Sequence, residues 1–176
     1  MKVRTGDRAR DFTLLDMQGN PCSLSDYKGN KILLSFYRDA GCPFCNLRIF
    51  ELTRRQAGYE KQGLVMLALF KSNYDGIRRY VGRQNRSFPM LADPEGKVYD
   101  IYGVESSWPS LLLAFFRIPR ILKAFSKGFL PTLGAFKPLL PADILINSDL
   151  TVAKAFYARD AASHISLKDI ETFLSK

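Results

Sequence analysis

The run Lys31-Ile32-Leu33-Leu34-Ser35-Phe36-Tyr37, followed by Arg38-Asp39-Ala40-Gly41-Cys42-Pro43-Phe44-Cys45-Asn46-Leu47-Arg48-Ile49-Phe50, decides the fold. A short apolar run bounded by turn residues suits a buried central strand. From Asn46 to Lys61, Leu47, Phe50 and Leu52 alternate with Arg48, Arg54 and Arg55, which predicts a helix ending near Gly63. Cys42 and Cys45 therefore fall in the first turn of a helix. Its unsatisfied N–H groups and positive dipole stabilise a thiolate and lower a cysteine pKa. The i, i+3 spacing puts both sulfurs on one face, close enough to close a small disulfide ring. Pro43 suits the helix start, where its missing N–H is not needed, and Gly41 gives the backbone room to turn. Arg38 and Arg48 would lower the thiol pKa further if they point inward. A redox reading sets three conditions: sulfurs within bonding reach, at the positive end of a helix, facing solvent.

Working outward, Asp11 to Asp16 reads as a strand, Met17 to Pro21 as a turn, and Ser23 to Gly29 as a helical turn closed by glycine. Leu64 to Phe70 is a second buried strand, and Tyr74 to Gln84 a helix with Ile77, Tyr80 and Val81 on one face. Phe88 to Ala92 is a short strand, turning at Asp93-Pro94-Glu95-Gly96 into a short helix through Tyr102. Strand and helix alternate, as in βαβ units with a parallel centre. Asp143 to Asn147 and Thr151 to Tyr157 then form a hairpin, and Ser166 to Leu174 a closing helix. The pattern implies an α/β, thioredoxin-like fold: a central mixed β-sheet flanked by helices, with an N-terminal extension, in a single domain over 1–176. Residues 105–140 differ in character and read as a helical insertion before the C-terminal hairpin. They carry Pro109, Pro119, Pro131 and Pro138, and no acidic residue stands between Glu105 and Asp143.

Composition narrows the chemistry. The chain has 176 residues, three cysteines and one histidine. An odd cysteine count with two of them three positions apart is not a secreted disulfide framework. No secretory signal is read at the start, and a reducing cytoplasm is the expected home. The second half of a zinc knuckle is missing; Cys22 and His164 would have to complete it at irregular spacing, so neither metal nor cofactor is expected. Cys22 reads as structural, and His164 as a loop or helix-start contact. The net charge of +9 favours anionic partners. No base-stacking motif accompanies it, so no nucleic acid is expected.

At these residues the chain resembles the alkyl hydroperoxide reductase/thiol-specific antioxidant (AhpC/TSA) group of the thioredoxin superfamily, the peroxiredoxins. The likeness runs through Gly6 to Phe12, Leu24 to Gly29, Phe36-Tyr37, Phe88 to Asp93 and Tyr102-Gly103-Val104. Within the group it most resembles the peroxiredoxin-like 2 subgroup, which carries a C-x-x-C. Laid on the family motif P-x-x-x-T-x-x-C, the peroxidatic cysteine matches Cys45, with Arg38 at the proline position and Cys42 at the threonine position. Pro141 stands where the family has a later arginine. The groups that polarise a peroxide O–O bond are thus replaced, and a dithiol appears. By resemblance to thioredoxins, Pro141 is expected as a cis proline against the dithiol. Arg159, in Tyr157-Ala158-Arg159-Asp160, resembles a second arginine motif of the family and is expected to approach the sulfurs, to pair with Asp160 or to stand solvated on the surface.

The expected catalytic residues are Cys42 and Cys45, supported by Pro141, Arg38, Pro43 and Arg159. The expected function is thiol-disulfide oxidoreduction with weak thiol-dependent peroxidase activity. Its substrate is a protein or small-molecule disulfide or a peroxide, and its reductant is of thioredoxin or glutathione type. The competing classes are a non-catalytic redox-sensing or binding module, and a peripheral membrane protein working through the insertion. Around Arg120 to Phe129, Ile121, Leu122, Phe125 and Phe129 share one helical face and Arg120, Lys123 and Lys127 the other. The plain expectation is that the apolar face covers the core and the basic face is solvated. The alternatives are a homodimer contact, a lid, or a membrane contact through 111–139.

Overall fold

The computed structural model describes residues 1–80, 88–109, 116–130 and 138–176. Its centre is a five-stranded sheet in the order β5-β4-β3-β6-β7. β3 (Lys31–Tyr37) is the middle strand. It runs parallel to β4 (Leu64–Phe70), which is parallel to β5 (Met90–Ala92). On its other side it is antiparallel to β6 (Ala142–Ile146), which turns back into β7 (Val152–Tyr157). At that turn Leu150 takes a φ of 68°, an unusual conformation for a residue other than glycine, while its side chain stays buried.

The central strands are apolar on both faces because both are covered. Ile32, Leu34 and Phe36 point into one layer with Leu67, Leu69, Ile144 and Ile146. α4 (Lys97–Tyr102) lies there, with the N-terminal extension: the hairpin β1 (Thr13–Leu15) and β2 (Pro21–Ser23), then a 3-10 turn over Leu24–Tyr27. Leu33 and Tyr37 point into the opposite layer with Met66, Ala68, Phe70 and Leu145. There the sheet meets α1 (Pro43–Thr53), α2 (Gln56–Glu60), α3 (Tyr74–Tyr80) and the last helix, α6 (Leu167–Leu174). The dithiol belongs to this second layer.

The extension also meets the start of the sheet edge. Gly6 and Ala9 donate their N–H groups to Val152 and Leu150, and Val152 donates to Asp7, so the first residue of β7 is paired. Where the extension crosses the end of α4, Gly103 takes a φ of +69°. A Cβ there would lie 2.6 Å from the backbone of Met1 and Lys2, so only glycine fits.

Two sequence expectations change in detail. The helix expected from Asn46 to Lys61 is broken at Arg54 and Arg55 into α1 and α2; the bend lets Gln56 and Tyr59 reach the interior. The helix expected over Tyr74 to Gln84 is seen as α3 to Tyr80, and 81–87 lie outside the described residues. The insertion leaves and rejoins the sheet through a short antiparallel neck. Ser107 N–H donates to Pro138, Leu140 N–H to Glu105, and Ser106 bridges Leu139. Within the insertion lies α5 (Ile118–Ser126). Residues 110–115 and 131–137 lie outside the described residues, and with them most of what flanks α5 in the membrane contact expected over 111–139.

Candidate active site

α1 begins where β3 ends. Cys42 is its N-cap residue, Pro43 its first helical residue, and Cys45 stands one turn in. The loop between is fixed by short polar contacts. Asn46 Nδ2 donates to the carbonyls of Ala40 (2.7 Å) and Cys42 (3.0 Å). Ser72 Oγ donates to Asp39 (3.0 Å) and accepts the Ala40 N–H (3.1 Å). Asp39 also accepts the Gly41 N–H (2.9 Å). These bonds hold Cys42 at the end of the helix without using its side chain.

The sulfurs lie close together, and both are reduced thiols. Burial pushes the Cys42 thiol up, but a hydrogen bond from the Cys45 thiol, the Arg38 guanidinium and the amide groups of Cys45 and Phe44 outweigh it, leaving the pKa at about 7. Arg38 is itself buried, with Nη1 3.8 Å from Cys42 Sγ. Cys45 goes the other way: burial, then its hydrogen bond to Cys42 and the Cys42 charge, hold its thiol well above the ordinary value. The two cysteines thus differ sharply in acidity, as an attacking and a resolving thiol must.

Of the three conditions, bonding reach and helix position are met. Solvent access is not: Cys42 and Cys45 are fully buried, so the condition on which the redox expectation stands fails in this closed structure. The reason is in the sequence. Ala40, Gly41, Pro43 and Phe44 carry no charge that would keep this turn in water, and the half-buried Phe44, between the cysteines, packs against Ala161 and Ala162.

The supporting residues divide. Arg38 and Pro43 sit at the dithiol. Pro141 is not cis: the described residues contain no cis peptide bond. The insertion's neck delivers an extended chain straight into β6, and the Pro141 carbonyl accepts the Ala158 N–H. Pro141 lines a small crevice with Lys2, Val104 and Tyr157; Val104 and Tyr157 belong to the layer on the other side of the sheet from the cysteines. Arg159 is exposed, and the guanidinium acting on the sulfurs is that of Arg38. Asp160 pairs with Arg117 of the insertion at 2.8 Å. Arg48 turns to the Ile165 carbonyl at 2.9 Å, away from the thiols. Cys22 sits in the extension with its thiol against the Tyr27 hydroxyl (3.3 Å), where burial pushes its pKa up.

Sequence reasoning missed one buried cluster in the same layer. Asp143, on β6, accepts from Ser35 Oγ (2.7 Å), the Ile165 N–H (2.9 Å) and His164 Nδ1 (3.0 Å). These donors and Arg48 overcome burial and keep its carboxyl well below the ordinary range. Burial holds His164 below its ordinary value, and its Nδ1 faces the Asp143 carboxylate. The His164 ring lies 5.3 Å from that of Tyr37, whose hydroxyl is buried with no hydrogen-bond partner. The signal was a lone acid in Ala142-Asp143-Ile144-Leu145-Ile146 and a lone serine in β3, which stand opposite each other in the ladder. Among the described residues no three His, Cys, Asp or Glu side chains gather as metal ligands.

The model of the AhpC/TSA family matches residues 5–155. The chain belongs to this family. Among curated relatives, the peroxiredoxin Bcp of Escherichia coli (strain K12) is 26% identical over 102 residues, covering 58% of this chain and 65% of that protein. The thiol-disulfide oxidoreductase ResA of Halalkalibacterium halodurans is 27% identical over 112 residues, 63% of each. The matches thus span just under two thirds of these relatives. Among solved structures, the peroxidoxin BcpB of Mycobacterium tuberculosis superposes with a TM-score of 0.71 at 19% identity, covering 98% of this chain and 97% of that one, which supports the thioredoxin-like fold. No helix among the described residues is long and apolar enough to cross a membrane.

Proposed function

We propose that this AhpC/TSA protein is a dithiol-disulfide oxidoreductase in which Cys42 attacks and Cys45 resolves. The observation that carries the reading is the Cys42 thiol held to about 7 beside a Cys45 thiol pushed up. At neutral pH Cys42 is thus the more readily ionised of the two, whereas Cys45 keeps its proton. The Cys42 thiolate attacks one sulfur of a substrate disulfide. The S–S bond breaks, and the leaving thiolate takes a proton from solvent. Cys45 then loses its proton and attacks Cys42 Sγ, releasing the second substrate thiol and closing a Cys42–Cys45 disulfide. The substrate has gained two electrons and two protons. A dithiol of thioredoxin type, or two glutathione thiols, returns them to the enzyme. Because both sulfurs are covered, attack follows an opening of the turn around Phe44, and the rate carries the cost of that opening.

A second reading rests on family membership: Cys45 occupies the peroxidatic position and would be oxidised to a sulfenic acid that Cys42 resolves. The high Cys45 pKa weighs against it. Turnover separates the two. With thioredoxin and its reductase as donor, a model protein disulfide is expected to be reduced steadily, and hydrogen peroxide much more slowly. Faster turnover of peroxide, with sulfenic acid trapped on Cys45 in the Cys42→Ser variant, would replace the first reading by the second. Single stoichiometric oxidation with no turnover of either substrate would make the chain a redox sensor.

A further inference from the structure

α5 divides the apolar face read from the sequence: Ile121 and Phe129 are partly buried, with the Phe129 ring 6.3 Å from that of Phe50, whereas Leu122 and Phe125 are exposed. It packs on α1 through the fully buried Ala124, and its basic residues grip the body of the protein. Lys123 pairs with Glu51 at 2.6 Å, and Arg117 with Asp160 at 2.8 Å. Arg120 donates to the Ala162 carbonyl, and Lys127 lies over the Phe50 ring. Ile118, Leu122 and Phe125, which share the opposite stripe, are exposed, as are Phe116 and Leu130 just beyond the helix ends. Isolated exposed apolar residues need no explanation, but a row held outward by four specific contacts does.

We infer that this face of α5 docks on an anionic lipid surface. The occupant follows from charge. Within each ion pair the cation is the outer partner: the Arg117 side chain is 56% exposed against 6% for Asp160, and Lys123 is 54% exposed against 21% for Glu51. The acids are covered and the cations face outward, in a stretch with no acidic residue between Glu105 and Asp143 and a chain of net charge +9. A second copy would bring two cationic rims together. An anionic bilayer instead lets the apolar row enter the interface while arginine and lysine reach toward headgroups. The inference does not depend on the dithiol chemistry, although docking α5 would bring α1 to the membrane.

The test is co-sedimentation of the full chain with vesicles of phosphatidylglycerol and phosphatidylcholine, and with phosphatidylcholine alone. Binding to the anionic vesicles is expected, weakening as salt rises and reduced about tenfold or more in Leu122→Asp and Phe125→Asp. Both positions are exposed, and the urea midpoint measured alongside reports on the fold. Absence of binding to anionic vesicles overturns the inference. So does binding that survives both substitutions, which would place it elsewhere. A concentration-dependent dimer abolished by Leu122→Asp would assign the face to a second copy.

Discussion

At the scale of single residues, one arginine and one turn of helix set the acidity of the site. Alkylation of Cys42 by iodoacetamide should rise with pH around a midpoint near 7. Arg38→Met should move that midpoint up by about one unit, because a buried cation beside the thiolate is lost, and Arg38→Lys should restore part of the shift. Asp143 and His164 act on stability. Burial lowers the folded pKa of His164 below that of the unfolded chain. Between the two values the unfolded chain binds more protons, so stability rises with pH there and falls as pH drops below about 6.5. The urea midpoint of the protein should fall between pH 7.5 and 5.5, and His164→Gln should flatten that slope. Asp143→Asn should cost about 3 kcal/mol at pH 7, since it breaks a buried charged cluster; urea unfolding measures it. The position and spacing of Cys42 and Cys45 were legible. Their burial was not read from the uncharged turn around them; Phe44, between the cysteines, packs on Ala161 and Ala162, more than a hundred residues away in sequence.

At the scale of elements, the strands and helices of the sheet were legible because each carries its own apolar period. Lys31–Tyr37 and Leu64–Phe70 are the observed strands to the residue. α5 was legible as an amphipathic helix, but not in its orientation: a hydrophobic stripe tells which residues go together, not which side meets the protein. Here the choice falls to Glu51 and Asp160, which tie Lys123 and Arg117 to the body while both cations stay more than half exposed. Pro141 failed for a similar reason, since the neck of the insertion sets how the chain enters β6. If the contacts of α5 help keep the turn around Phe44 closed, loosening them should expose the dithiol. Each partly exposed ion pair is worth roughly 1 kcal/mol at most. The double variant Arg117→Ala, Lys123→Ala is therefore expected to speed Cys42 alkylation severalfold, with little change in its pH midpoint. An unchanged rate would place the opening elsewhere.

At the scale of the whole molecule, the sheet separates two tasks. One layer buries the N-terminal extension, which pairs with the start of the edge strand. The other holds the dithiol, the Asp143–His164 cluster and the seat of α5. The central claim is that Cys42 attacks and Cys45 resolves, and trapping tests it most directly. After reaction of each variant with a mixed aromatic disulfide, intact-mass and peptide mass spectrometry should find Cys45→Ser holding a stable adduct on Cys42, Cys42→Ser holding little or none, and the native chain closing to a Cys42–Cys45 disulfide two hydrogens lighter. A stable adduct on Cys45 in Cys42→Ser, with none on Cys42 in Cys45→Ser, would contradict the account.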